Sequence, residues 1–448
     1  MNTNATVFVV KKNTNFYCNT ATYTAVCSLA TMNNITCHTF ESGLQLVTEK
    51  ISSVKTVAVN WSVRSGVATN EHDGDSVLLS ELVQRGARDL TAKQHNDALE
   101  LLGAKRQVEC GIEFFRVSGV MLGKKVETVL PLLGDYLMNA TLPEEDLAAC
   151  KSLCMQSIQS LADNPARQVS IALGEHHHSS PYNRSTYGDP ASIESASIRR
   201  LRSVYGSFTP DGSVLIVVGD IEHDKIVSVV EQIANCWDGA SRIDPLEEPP
   251  DRGVHWIKQE TSQSHIAIAF DAPNANEDGE LQESIAISIF GGATSGRLFT
   301  QVRQRRSLCY SVSAHYASSK NRSTLRIHAG TTPQRADETV SVCLDQLNEL
   351  RMGITRDEFD RAVLRMKSRT VMRGESTPSR ASMLWIDHHS TGKPKTLNDR
   401  LCEIDSVTYE SVNEWLEARV FDQGTLVTLG PLQITVDNDL FCRGASCH

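Results

Sequence analysis

The chain has no apolar run near the ~18 residues needed to cross a bilayer. Basic residues are in deficit: 44 Lys and Arg stand against 54 Asp and Glu, a net charge of −10. That argues against a nucleic-acid partner and leaves a peptide partner open. None of the 12 cysteines forms a C-x-x-C pair. The first 36 residues hold only Lys11 and Lys12 and no Arg, with no apolar core before a small-residue cleavage site. Neither a secretory signal nor a mitochondrial transit peptide is expected there. The thiols are therefore expected to be free in a reducing cytoplasm. Cys442, Cys447 and His448 are read as a frayed tail rather than a metal site. A G-x-S-x-G nucleophile elbow is absent, and Gly291-Gly292 lacks the Lys-Ser/Thr ending of a phosphate loop.

What is present is a duplication. Val126–Leu133 leads to the acidic start Leu142-Pro143-Glu144-Glu145, and Asp337–Leu344 leads to Ile354-Thr355-Arg356-Asp357-Glu358. Each is an amphipathic helix, a break and a helix whose first turn carries acids that suit its dipole. Thr355 and Glu358 have capping-box spacing. The strand-like run Thr56–Val63 has its counterpart in His265–Phe270, and Val214–Gly219 has its counterpart in Leu426–Gly430. Two repeats are expected, over 33–244 and 253–437. A proline-rich acidic linker at 245–252 joins them, with an extension over 1–32 and a tail over 438–448. The fold class is α+β: two α/β-sandwich halves, each with helices on one face of a mostly antiparallel sheet.

Two segments carry the chemistry. One is Gly74-Asp75-Ser76-Val77-Leu78-Leu79-Ser80-Glu81-Leu82-Val83-Gln84-Arg85-Gly86-Ala87, a helix with Asp75 or Ser76 as its expected N-cap. The other runs Phe290-Gly291-Gly292-Ala293-Thr294-Ser295-Gly296-Arg297-Leu298-Phe299-Thr300-Gln301-Val302-Arg303-Gln304-Arg305-Arg306-Ser307-Leu308-Cys309-Tyr310-Ser311-Val312.

These segments resemble the pitrilysin/insulinase-type metallopeptidases. Phe290–Val312 is similar to that family's "LGGGxSSRLFxxVRExxGLxYSV" stretch, and Gly74–Ala87 resembles its H-x-x-E-H zinc helix. Weaker echoes are Asn164-Pro165, the Pro181–Asp189 loop, Gly219-Asp220 and Trp237. The size matches the short two-repeat branch of mitochondrial processing peptidase subunits, respiratory-complex core proteins and bacterial relatives. The resemblance implies a clam-shell dimer around a peptide chamber.

On that pattern the histidine positions hold Val77 and Glu81, the base position holds Ser80, and the later glutamate ligand falls at about Ser157. Zinc needs two neutral imidazoles and a carboxylate, and its water needs a base. Val77 cannot ligate, Ser80 cannot act as a base near neutral pH, and Glu81 stands alone. No metal is therefore expected in this chain, and zinc is expected in a partner. What the resemblance retains is the R-x6-Y pair Arg303 and Tyr310, which could donate hydrogen bonds to a developing oxyanion. The alternative for this pair is structural: a buried ion pair and a half-buried strand residue. Substrate would add as a strand near Gly103–Val108. His176-His177-His178 is expected in a partly solvated loop, and Asp387-His388-His389 on a helix surface against the other half.

The function implied is a zinc-less subunit beside a homologous partner bearing H-x-x-E-H, holding unfolded peptide. The alternative is an assembly subunit or peptide-binding pseudoenzyme like the respiratory core proteins. A self-sufficient peptidase with a relocated metal site is a third reading.

Overall fold

In the computed structural model, residues 34–235, 237–239, 245–292, 294–436 and 439–441 are described. The expected extension, and most of the tail with Cys442, Cys447 and His448, lie outside them. The first half begins with strands β1 (Ile35–Thr39), β2 (Gln45–Lys50) and β3 (Thr56–Val63), then helix α1 (Asp75–Leu82). A short ladder of β4 (Gly86–Ala87) and β5 (Leu90–Thr91) leads to α2 (Ala92–Leu101), β6 (Lys105–Cys110) and β7 (Phe115–Leu122). There follow α3 (Val126–Met138), α4 (Leu147–Gln159), α5 (Pro165–His177), α6 (Pro190–Ser195), α7 (Ile198–Tyr205), β8 (Val214–Gly219) and α8 (His223–Ala234).

The second half repeats the scheme. It runs β9 (Gly253–Lys258), β10 (Ser264–Asp271), α9 (Glu280–Gly291), a π-helical turn (Phe299–Arg305), β11 (Cys309–Ala317) and β12 (Thr324–Thr331). Then come α10 (Ala336–Arg351), α11 (Arg356–Gly374), α12 (Thr377–Thr391), α13 (Leu397–Ser406), α14 (Tyr409–Ala418) and β13 (Thr425–Gly430).

The sheets are ordered β1-β2-β8-β3-β7-β6 and β11-β12-β10-β13-β9. Taken from its β9 edge, the second sheet matches β2-β8-β3-β7-β6 strand for strand, so the duplication is one of topology. In each sheet one pair is parallel, β2 with β8 and β9 with β13, and the other pairs are antiparallel. No helix among the described residues is long and apolar enough to cross a membrane.

Local signals explain most helix starts. Thr355 and Glu358 close the expected capping box on α11: Glu358 N–H donates to Thr355 Oγ1 at 3.3 Å and Thr355 N–H to Glu358 Oε2 at 2.8 Å. The start of α1 differs from expectation. Its N-cap is Gly74 at φ 100, not Asp75 or Ser76. Both side chains are spent elsewhere: Arg200 Nε donates to Asp75 at 2.9 Å, and Ser76 Oγ donates to the Ser65 carbonyl at 2.8 Å. A Cβ at Gly74 would sit 2.8 Å from Ile193, so glycine is needed for space as well as for φ.

Each sheet packs one face on helices of its own half, through clusters that include Trp61, Leu78, Leu133 and Leu201 in the first and Phe270, Phe290, Val340 and Leu416 in the second. The expectation of helices on a single face is incomplete. The other face of the first sheet (Val47, Ala58, Ile216, Val218) is covered by Ala381 and Leu384 of α12, from the second half. The other face of the second sheet (Ala267, Ala269, Val427, Leu429) is covered by Val169, Ala172 and Leu173 of α5, from the first. That explains why Val214–Val218 reads as a continuous apolar run rather than an alternating one: both its faces are buried. The described residues from 34 onward accordingly form one compact unit.

Polar contacts lock this exchange. Arg380 of α12 is fully buried and holds Glu49 of β2 in a two-point pair, Nε–Oε2 2.6 Å and Nη2–Oε1 3.0 Å. Trp385 Nε1 donates to Ser62 Oγ at 2.7 Å. At the other crossing, the expectation of a partly solvated His176–His178 loop is overturned. His176 and His177 end α5, and His177 is buried, its Nδ1 2.9 Å from Thr425 Oγ1. His178 Nε2 lies 3.1 Å from Arg326 Nη2 and accepts from that guanidinium as a neutral ring. The loop reading failed because the strands that meet these histidines, β13 at His177, β12 at His178 and β9 at His176, all lie in the second half of the chain. Of Asp387-His388-His389 on α12, His389 meets the first half as expected, stacking on Trp385 and meeting Phe114 edge-on, whereas Asp387 is buried and pairs with Arg400 of its own half.

Two outcomes are expected. Glu49→Ala strands a buried guanidinium and should cost about 3–5 kcal/mol in urea unfolding, much of it recovered by adding Arg380→Met. Burial, then His177 and Arg326, push His178 down to about 3. Unfolded, it takes a proton near its ordinary value of ~6.5. The unfolded state then binds more protons below that pH, so this contribution is present at pH 7 and is lost as pH falls from about 6.5 toward 3. Unfolding free energy measured from pH 7 to 4 should decline less steeply in His178→Gln.

Candidate functional site

Helix α1 turns Leu78, Leu79 and Leu82 into the core and leaves Val77, Ser80 and Glu81 half-buried on the face toward α4 and β6. Ser80 spends its hydroxyl on the Val77 carbonyl at 2.6 Å, and the Ser80 carbonyl accepts from Gln84 at 2.6 Å. Ser157 is exposed on α4 and back-bonds to the Leu153 carbonyl at 3.1 Å. The α4 residues that feel the Glu81 charge are instead the buried Cys150 and Cys154. Burial, reinforced by Glu81, pushes the Cys154 thiol up to about 12; burial also raises Cys150, with Arg85 pulling the other way. Among the described residues, Glu81, Cys150 and Cys154 do not bring three ligand atoms together as a metal site requires. An alkyl group, a hydroxyl tied to its own helix, one carboxylate and two buried thiols do not fit zinc. The α1 face therefore supports no metal-dependent step.

The second-half segment is built by a different logic. Gly291 ends α9 where a Cβ would stand 2.4 Å from the Ala314 nitrogen, so the helix can touch β11 only through glycine. Arg297 then makes a two-point pair with Glu358, Nε–Oε1 2.8 Å and Nη2–Oε2 2.9 Å, and reaches the Gly353 carbonyl at 2.8 Å. Burial raises the Glu358 carboxyl, but Arg297 and the Thr355 N–H outweigh it and hold it at about 2. This anchor fixes the π-helical turn to the start of α11.

Arg303 projects from that turn and Tyr310 from β11. The register of β11 against β12 slips between Cys309 and Ser311, so Tyr310 sits at the irregularity and is 77% exposed. The Arg303 guanidinium carbon lies 5.3 Å from the Tyr310 ring centre and 4.9 Å from that of Phe299, within cation–π range. The structure thus brings the pair together. Arg303 is half-buried and has no carboxylate partner among the described residues, so the buried ion pair of the structural alternative is not formed. Between them Ser307 has φ 51, a left-handed conformation in which a glycine would be unstrained.

The first sheet offers an open edge. Among the described residues β6 is its last strand and pairs with β7 alone, through Lys105–Cys110 against Phe115–Val120. This is the edge expected near Gly103–Val108. β11, which carries Tyr310, is the corresponding edge of the second sheet. A cavity of about 690 Å³ between α9, α11, α12 and α13 is lined by Arg365, Arg369 and Arg400 but by neither Arg303 nor Tyr310. It is separate from the pair.

Known proteins share this architecture along most of the chain. Residues 196–366 match the family model described as the peptidase M16 inactive domain. The chain is 26% identical over 390 residues to the uncharacterized zinc protease YmxG of Bacillus subtilis, covering 84% of this chain and 93% of that protein. It is 23% identical over 412 residues to an uncharacterized zinc protease of Streptomyces coelicolor, covering 88% and 89%. A crystal structure of a peptidase M16 inactive domain from Pseudomonas fluorescens superposes with a TM-score of 0.81 at 19% identity, over 90% of this chain and 99% of that one. A Helicobacter pylori protease structure gives 0.81 at 16% identity, over 89% and 99%. The chain is thus similar along most of its length to M16-type zinc proteases and to the M16 inactive domain, while its own α1 helix lacks the zinc motif.

Replacing Ser307 by glycine removes the left-handed strain at the cost of some backbone freedom. Ser307→Gly should raise unfolding free energy by about 0.5–1 kcal/mol, seen as a higher thermal midpoint.

Proposed function

We propose that this chain is the zinc-less subunit of a heterodimeric M16-type metallopeptidase. The observation that carries the reading is the Arg303–Tyr310 pair: stacked, partly open to solvent and free of any carboxylate partner among the described residues. A guanidinium that stacks on two rings and has no carboxylate partner among the described residues keeps its N–H donors available to an incoming carbonyl. The homologous partner would carry H-x-x-E-H, and the zinc it holds would supply Lewis acidity and an activated water.

This chain's own residues would do the rest. An unfolded peptide would add as a strand along the free edge of β6, through main-chain hydrogen bonds that ask little of its sequence. Arg303 Nη and the Tyr310 hydroxyl would donate to the scissile carbonyl oxygen as negative charge builds there. Stacking on Phe299 and Tyr310 would hold the guanidinium in one orientation before substrate arrives. The two repeats, 33–244 and 253–437 with the linker 245–252, supply the peptide edge and the Arg/Tyr pair respectively.

In the reconstituted pair, Arg303→Ala should lower kcat/KM by about 10²–10³-fold while leaving the complex intact by sedimentation. Tyr310→Phe, which keeps the stack and loses the donor, should lower it less. Turnover unchanged in both would remove the chemical role and leave the assembly-subunit alternative.

A further inference from the structure

The exchange of helices between halves brings together three side chains that no sequence spacing would connect. His176 is in the last turn of α5, Asp251 lies just before β9, and His255 is the third residue of β9. One nitrogen from each imidazole and one Asp251 carboxylate oxygen lie within 4.8 Å of one another. His176 Nδ1 is 3.5 Å from Asp251 Oδ2, and His255 Nε2 is 2.8 Å from the Asp251 main-chain oxygen. The two rings stack with centroids 3.5 Å apart at 13°.

We infer that His176, His255 and Asp251 form a binding site for a divalent transition-metal ion that fastens the end of α5 to the second sheet. The donor set decides the class of ion. Two imidazoles and a carboxylate suit zinc, cobalt or nickel, whereas magnesium and calcium prefer all-oxygen sets. Both rings are half-buried, and a neutral imidazole is the form that ligates. Asp251 is mostly exposed, which leaves room for water to complete the coordination.

An ion lies in the plane of each imidazole that binds it, and two nearly parallel rings offer no shared point. Binding would therefore require one ring to turn about its χ2 so that both nitrogens face the ion. That torsion is broad and soft, so the turn is cheap. The ion would replace the His255–Asp251 hydrogen bond and join a helix of the first half to the linker and edge strand of the second.

The site is structural in kind. β9 is the edge of the second sheet opposite β11, so four strand steps, ~19 Å at ~4.8 Å each, separate it from the strand that carries Tyr310. It also stands apart from the degenerate zinc face of α1. Its existence does not depend on the peptidase reading.

The test uses the full chain without an affinity tag, stripped by chelator and titrated with Co²⁺ and then Zn²⁺. One ion per chain is expected, with visible d–d bands for Co²⁺ and a thermal midpoint raised by several degrees at saturating Zn²⁺. His176→Ala and His255→Ala should each weaken binding by at least about tenfold and remove the bands. Asp251→Asn, which perturbs packing least, should weaken binding with the same circular dichroism spectrum. Glu81→Ala and His315→Ala, the latter an exposed histidine elsewhere, should bind as the parent does. Absence of stoichiometric binding, binding unchanged in the two histidine variants, or thiolate-to-cobalt charge-transfer bands would each overturn the inference.

Discussion

The packing of α12 on the first sheet and of α5 on the second is the constraint from which the rest follows. A sheet covered by helices on one face alone would expose a stripe of valine, isoleucine and alanine to water. At ~25 cal/mol per Å² of apolar surface, leaving two such faces bare would cost a large part of a domain's net stability. Covering each with a helix from the other half removes that cost and makes the halves inseparable. It also forces charged and polar groups inside, because helices that cross a boundary carry side chains suited to both environments. Arg380 with Glu49 and His177 with Thr425 are the result. Such pairs add little net stability over apolar packing, but they hold each helix in one register.

The same constraint explains how a chain can lose a metal site and keep its fold. Of positions 77, 80 and 81, only Val77 packs partly against the core, and it does so as an alkyl group. Helix α1 is held by Leu78, Leu79 and Leu82 and by the Asp75–Arg200 pair at its start. Its α4-facing side is free to carry a valine, a serine bonded to its own helix and a lone glutamate. The second half is less permissive. Arg297 with Glu358, the close approach at Gly291 and the irregular start of β11 together fix where Arg303 and Tyr310 point. The zinc positions lie at the margin of the core, with Val77 packed partly against it, whereas removing the Arg/Tyr geometry would disturb an anchor.

Much of this was legible in the residues. Alternation and duplicated order pointed to both sandwich halves, residue spacing to the capping box at Thr355–Glu358, and the family resemblance to an edge strand near Gly103–Val108, which the structure places at Lys105–Cys110. The long match around Gly291–Val312 pointed to Arg303 and Tyr310. What escaped were features set by residues distant in sequence. The cap of α1 moved to Gly74 because Arg200, 125 residues on, claims Asp75. The His176–His178 run read as solvated because its covering strands lie far along the chain. The π-helical turn and the register slip at Tyr310 leave no periodic mark, since each depends on how one segment meets another.

The helix exchange also sets the order in which the molecule can be made. Trp385 touches Ser62 across 323 residues, and Arg380 touches Glu49 across 331. As the chain leaves the ribosome, the first sheet is complete after Gly219, yet one of its faces stays wet until residue 391 has emerged. At roughly 5–20 residues per second that interval is about 10–30 s, long on the scale of collapse and strand pairing. During that time a half-covered, valine-rich sheet waits for its lid. Its final closure belongs to the end of synthesis, and a chaperone that shields apolar β surface would act in that window.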